Sequence, residues 1–176
     1  MRKLVESTFM TLDGVISRPQ DWSPPYWDEE HAGYAQKLID PAESLLLGRA
    51  TYEGFAEAWP PRSGEMADKI NAMPKHVASR TLTDTTWNAT LIEGDVAGAV
   101  AALKAQDGGD IVKYGTGELD KALAERQLVD EFHFWVFPVV AGRGDRLFDG
   151  LDPTTLKLVE TNRFASGIVV LVYTHA

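Results

Sequence analysis

No cysteine occurs anywhere in the 176 residues, which excludes disulfides, thiolate nucleophiles and cysteine-held metals and fits a reducing compartment. Histidine is scarce too. His31, His76, His133 and His175 stand far apart and show none of the spacings that grip a metal ion. Positive charge is in deficit: 17 Lys and Arg against 26 Asp and Glu leave a formal charge of -9, and no basic cluster stands out. The field that draws proteins onto nucleic acid or anionic membranes therefore has the wrong sign. No stretch approaches the roughly 20 apolar residues of a membrane-crossing helix, and Glu6, Ser7 and Thr8 interrupt the N-terminal apolar run far short of a signal-peptide core. The expectation is a soluble cytoplasmic protein with no nucleic-acid or membrane partner. An anionic ligand would need a local pocket of Arg side chains and backbone amides, because the global field opposes it.

Common catalytic signatures are missing as well. The turn Gly115-Thr116-Gly117 is not a Walker A loop, since no Lys follows with Ser or Thr, and "GTGELD" lacks the third glycine of a dinucleotide-binding fingerprint. There is no G-x-S-x-G elbow. Asn88-Ala89-Thr90 and Arg143-Gly144-Asp145 match a glycosylation sequon and an adhesion tripeptide, both meaningful only outside the cell.

What is present is an ordinary globular composition, 44% hydrophobic and 24% charged, with enough length for one domain spanning 1–176. Around the middle, an apolar run at 111–114 meets Gly115-Thr116-Gly117. Leu119, Ala122, Leu123 and Leu128 then recur at helical spacing, and the β-prone run Phe132, Phe134, Val136, Val139, Val140 follows. Strand, glycine turn, helix and strand make a right-handed βαβ unit whose helix N-terminus, residues 115–118, is suited to an anion.

The rest of the chain repeats this alternation. Strands are expected at 3–10, 44–47, 76–79 and 89–92. Helices are expected from about Pro25 through 39, from Gly48 through Trp59, over 66–73 and over 96–105. A terminal hairpin pairs 156–163 with 168–174 across "FASG". The class is α/β, with a mostly parallel mixed sheet ending in an antiparallel hairpin. The segment "TLDGVISRPQDWSPPYW" is a long loop carrying Trp22, Tyr26 and Trp27, either a substrate lid or a cover over one end of the core. Ligands of open sheets bind outside the carboxyl ends of the strands. Gly48-Arg49, Ser79-Arg80-Thr81 and Gly115-Thr116-Gly117 all fall at such ends and supply amides, hydroxyls and guanidinium groups, so a ligand with several phosphates is expected.

"STFMTLDGVIS", "LLLGRATYEGFAEAWP", "KHVASRTL", "GGDIVKYGTGELDKALAERQLVDEF" and "FPVVAGRGDRLF" together resemble the dihydrofolate-reductase-like proteins related to the reductase domain of the bifunctional riboflavin-biosynthesis enzyme. The resemblance covers nearly the whole chain. It implies a three-layer α/β/α sandwich with NADPH along the strand ends, and a homodimer is plausible from the family. By the same resemblance Gly48, Arg49 and Thr51 match the turn at the cofactor phosphates. Ser79, Arg80 and Thr81 match the segment at the adenosine 2′-phosphate, and Gly115, Thr116, Gly117, Glu118 and Leu119 match the turn under the pyrophosphate. Thr116 replaces the second glycine found in many relatives.

Asp13 and Gly14 match the loop near nicotinamide and substrate. Hydride transfer to a small heterocycle or a C=N or C=O compound needs a proton donor, for which Asp13 is the first candidate and Glu30 the second; Asp13 can equally be a turn residue locking its own loop. Trp22 and Trp27 are the candidate substrate contacts. The competing class is a non-catalytic nucleotide-binding or dimeric module on the same fold, with "FHFWVFPVV" as core or interface.

Overall fold

A strand buried along both faces must be covered on both faces, and β1, Leu4–Thr11, is such a strand: six of its eight residues are buried, Glu6, Ser7, Thr8 and Thr11 among them. It lies near the middle of an eight-stranded sheet in the computed structural model, which describes residues 1–176. The other strands are β2 (Ala42–Gly48), β3 (Lys75–Ala78), β4 (Ala89–Ile92), β5 (Asp110–Tyr114), β6 (Glu131–Phe137), β7 (Leu156–Arg163) and β8 (Val169–His175). The order across the sheet is β4-β3-β2-β5-β1-β6-β8-β7. The first six run parallel. β8 is antiparallel to β6, and β7 to β8. All six parallel strands therefore present their carboxyl ends along one rim.

The helices are α1 (Glu29–Ile39), α2 (Arg49–Ala58), α3 (Glu65–Ala72), α4 (Val96–Ala105) and α5 (Glu118–Glu125). Period-two alternation splits the strand residues between two cores. On one face Leu4, Leu46, Ile111, Phe132 and Phe134 pack with Val100 and Leu103 of α4 and Leu123 of α5. On the other, Leu45, Leu47, Val77 and Val112 meet Tyr52 of α2 and Ile70 of α3. Trp135, Phe137 and Val170 pack there with Tyr34 and Leu38 of α1. The result is the α/β/α sandwich with a terminal antiparallel hairpin.

Most boundaries shift by a residue or two from the sequence reading, and two differ for a clear local reason. α1 begins at Glu29, not near Pro25, because Pro24–Tyr26 forms a separate 3-10 turn and Asp28 caps the helix, accepting a hydrogen bond from the His31 amide at 2.9 Å. β6 stops at Phe137, because Pro138 has no N–H for the ladder, and Val140 beyond it is 69% exposed. The aromatic loop covers a sheet end: Trp22 and Tyr26 turn ring edges to Phe137, at 5.2 and 5.8 Å between centroids. Trp27 instead stacks over His31 at 5.8 Å and stays half exposed. No helix is long and apolar enough to cross a membrane.

Candidate functional site

Three of the rim turns touch one another. Gly48 ends β2 and serves as N-cap of α2, so Arg49 and Thr51 open that helix. The Arg49 guanidinium donates through Nη1 to the Thr81 hydroxyl beyond β3, and through Nε to Glu53 at 3.0 Å. Thr51 closes on the turn after β5: a Cβ added at Gly115 would stand 2.2 Å from the Thr51 hydroxyl, and Gly115 has φ +75°. Only glycine meets both demands. Ser79 organises the middle turn, its hydroxyl accepting from the amides of Thr81 and Leu82 at 3.2 and 3.1 Å. Arg80 projects into solvent. Arg49, Thr51, Ser79, Thr81 and Gly115 thus link the three turns into a polar cradle along the rim, with Gly48 at the start of α2 and Arg80 exposed at its edge.

At the β5–α5 turn, Gly117 is exposed and Thr116 and Leu119 half-buried, while Glu118 opens the helix. The Gly117 amide donates to the Asp120 carboxylate, so one donor of this N-terminus is already satisfied within the chain.

Asp13 is held from three directions. Its carboxylate accepts from the Thr11 hydroxyl at 2.6 Å and from the amides of Ala141 and Gly142 at 3.0 and 2.8 Å. These bonds, the Thr11 hydroxyl foremost, pull its pKa down to about 2. They favour the ionised carboxylate and suit the loop-locking alternative. Glu30 lies on the first turn of α1 and accepts from the Ala165 amide at 2.7 Å, tying the helix to the β7–β8 turn. Neither Asp13 nor Glu30 is linked by a hydrogen bond to the cradle. Trp22 donates its indole N–H to the Ser17 carbonyl at 3.2 Å. Trp27 instead joins an aromatic group in which the His31 ring lies 5.5 Å from Phe9 and 4.9 Å from Trp135. His31 Nε2 is buried without a hydrogen-bond partner, and burial lowers its pKa.

Sequence reasoning missed a polar cluster beneath the glycine turn. Glu6 and Lys113 are register partners on β1 and β5, each almost wholly buried. Lys113 Nζ stands 3.5 Å from Glu6 Oε2 and 2.6 Å from Asp120 Oδ1, and donates to the Gly115 carbonyl. The Thr8 hydroxyl donates to Glu6 at 3.2 Å. Burial pushes Glu6 from 4.5 to about 7 against the opposing pull of Lys113. Burial alone would lower Lys113, but Glu6 and Asp120 outweigh it and its pKa is raised. Glu6, Thr116, Gly117 and Asp120 line a cleft of about 690 Å3 between α5 and residues 145–156. The available signal was a lone acid and a lone base at inward positions of two central strands.

A mostly parallel α/β/α sandwich with a cradle of hydroxyls, guanidinium groups and a glycine turn on its strand-end rim is a protein of the dihydrofolate-reductase-like class. The chain belongs to the RibD C-terminal domain family, whose model matches residues 2–170. It is 29% identical to the uncharacterized protein YyaP of Bacillus subtilis strain 168, over 98% of this chain and 94% of that protein. It is 28% identical to YwjB of the same organism, over 95% of each. Among solved structures it resembles a putative riboflavin biosynthesis protein from Shewanella sp. PV-4, with TM-score 0.75, 20% identity and 99% of each chain covered. A second similar fold is the deaminase/5-amino-6-(5-phosphoribosylamino)uracil reductase of Thermotoga maritima, with TM-score 0.68 and 14% identity. It spans 99% of this chain and 57% of that one. Family membership supports a reductase-like role.

Proposed function

We propose that the protein is an NADPH-dependent reductase that passes a hydride to a small heterocycle or a related C=N or C=O compound in the cytoplasm. The observation that carries this reading is the joining of three strand-end turns into one cradle, through Arg49 to Thr81 and Thr51 to Gly115. The cradle has the chemistry a phosphorylated dinucleotide needs. Arg80 and the hydroxyls of Ser79 and Thr81 suit a phosphate monoester such as the 2′-phosphate. Gly48, Arg49 and Thr51 face one side of a pyrophosphate. Gly115, Thr116, Gly117, Glu118 and Leu119 face the other, where helix N-termini favour negative charge. Bound NADPH supplies the hydride, and the chain supplies position and exclusion of water.

In this reading Trp27, half exposed over His31, offers a flat face for the substrate, and Trp22 holds the loop closed against Phe137. Asp13 is the first acid candidate and Glu30 the second, with a loop lock as the alternative role of Asp13. A homodimer through the edge strand β7 is a further part of the proposal, favoured by Leu158 and Val159, which stand 49% and 58% exposed on it. The cofactor assignment is tested by Arg80→Ala: NADPH affinity should fall roughly tenfold or more, as one charge-assisted contact is lost, with NADH affinity little changed. Equal affinity of parent and variant for NADPH would overturn the 2′-phosphate assignment.

A further inference from the structure

Hydride chemistry leaves the buried group of Glu6, Lys113 and Asp120 unused, yet this group is wired to the glycine turn at two points. Lys113 donates to the carbonyl of Gly115, and Asp120 accepts from the amide of Gly117. Lys113 is 1% exposed and Glu6 2%. An ion group so buried on central strands is seldom a stabilising device, since its desolvation offsets most of its attraction. Its attachment to both ends of one functional turn supplies another reason for it.

We propose that Glu6, Lys113 and Asp120 are positioning residues for the β5–α5 turn, and that the proton on Glu6 sets the charge beneath that turn and hence its affinity for an anionic group. The inference rests on the reading that the turn receives the cofactor's pyrophosphate. With Glu6 protonated, the Lys113 ammonium and the Asp120 carboxylate cancel and the ground beneath the turn is neutral. With Glu6 ionised, one uncompensated negative charge lies behind amides that should attract an anion. Asp120 cannot absorb it, because its own charge lies close enough to Glu6 to raise that carboxyl's pKa, one of its oxygens being bound to the Gly117 amide and the other paired with the Lys113 ammonium.

The sign follows from linkage. Glu6 sits near 7 in the folded protein. An anion in the turn makes ionisation harder still, so binding takes up a proton and affinity falls as pH rises through neutrality. Other charged groups border the cleft: Glu118, Lys121 and Glu125 on α5, Asp145, Arg146, Asp149 and Asp152 across it, and His175 on β8. Lys121 pairs with Glu118 at 3.3 Å. These groups are common to any two proteins that differ only at position 6, so their contributions fall out of the comparison.

The experiment is a titration of NADPH into the parent and into Glu6→Gln, by tryptophan quenching, at about pH 6, 7 and 8.5. The cofactor's own 2′-phosphate titrates near pH 6, but it does so in both proteins and cancels in their ratio. The parent-to-variant ratio of dissociation constants should rise roughly tenfold from the lowest to the highest pH, as expected for one unscreened neighbouring charge. A ratio that stays constant would overturn the inference. A second measurement does not depend on the variant folding: with the side-chain carboxyl carbons of glutamate labelled, NADPH should move the Glu6 NMR titration midpoint upward, and an unmoved midpoint would also overturn it. Failure of NADPH to bind either protein at any pH would instead overturn the cofactor reading beneath it.

Discussion

Replacing Glu6 by glutamine preserves size and removes one titration, so the perturbation isolates what a buried carboxyl does to stability. In the folded chain Glu6 sits near 7 against an ordinary 4.5, chiefly because burial penalises its charged form. Where the folded pKa is the higher, the stabilising contribution is fully present below about pH 4.5, is lost as pH rises through about 7, and is constant beyond. The whole swing is about 3 kcal/mol, and the part falling between about pH 5.5 and pH 8.5 is about 2 kcal/mol. For a chain of this size that corresponds to roughly 4–8 °C in Tm. The assay is urea denaturation of parent and Glu6→Gln at both pH values. Titrations of groups remote from Glu6 occur in both proteins and cancel in the difference. The parent should lose about 2 kcal/mol relative to the variant on going to the higher pH. Parallel profiles, or a parent that gains relative to the variant, would refute the assignment of the raised pKa to Glu6.

Lys113→Met should be far more damaging, destabilising by about 3–5 kcal/mol because the buried Glu6 and the partly buried Asp120 lose their shared cation; combining it with Glu6→Gln should recover part of the loss in the same denaturation assay. Gly115→Ala brings a methyl against the Thr51 hydroxyl at a positive φ, and is expected to cost roughly 1–3 kcal/mol and to weaken NADPH binding; Thr51→Ala/Gly115→Ala should recover only part of the loss, because the positive φ remains. Asp13→Asn keeps the shape but loses the charge that holds the Ala141 and Gly142 amides, so its melting temperature should fall at neutral pH. That gap should close on acidification toward about pH 2, where the parent's own carboxyl becomes protonated. Trp27→Ala should leave the melting temperature nearly unchanged, since the ring is half exposed, while lowering turnover of any substrate found.

The alternation of helices and strands was legible because its causes are local. At β4, Ala89–Ile92, and α4, Val96–Ala105, a short apolar run and a helical repeat led directly to the observed elements. Boundaries went astray where a single side chain or ring decided them. Asp28 captured the His31 amide, and Pro138 ended the β6 ladder. The rim turns were readable from residue type, but their contacts were not: Arg49 reaching Thr81 depends on β2 and β3 being neighbours, which no local pattern states. Asp13 illustrates the opposite limit. Its LDG setting fits a reactive loop and a turn lock equally well, and its bonds to the amides of residues 141 and 142, far along the chain, are contacts no local pattern states. Glu6 and Lys113 escaped notice because each is a lone charge in an apolar run. Their meaning appears only when β1 and β5 pair and set them side by side.

The most direct test of the account is a parallel titration of the purified protein with NADPH and NADH at neutral pH, followed by tryptophan quenching or calorimetric heat. The cradle built by Gly48, Arg49, Thr51, Ser79, Arg80, Thr81 and the Gly115 turn predicts saturable NADPH binding, and NADH binding weaker by roughly tenfold or more for want of the 2′-phosphate contacts. Equal affinity for the two would contradict the 2′-phosphate site, and no binding of either would contradict the reductase reading altogether.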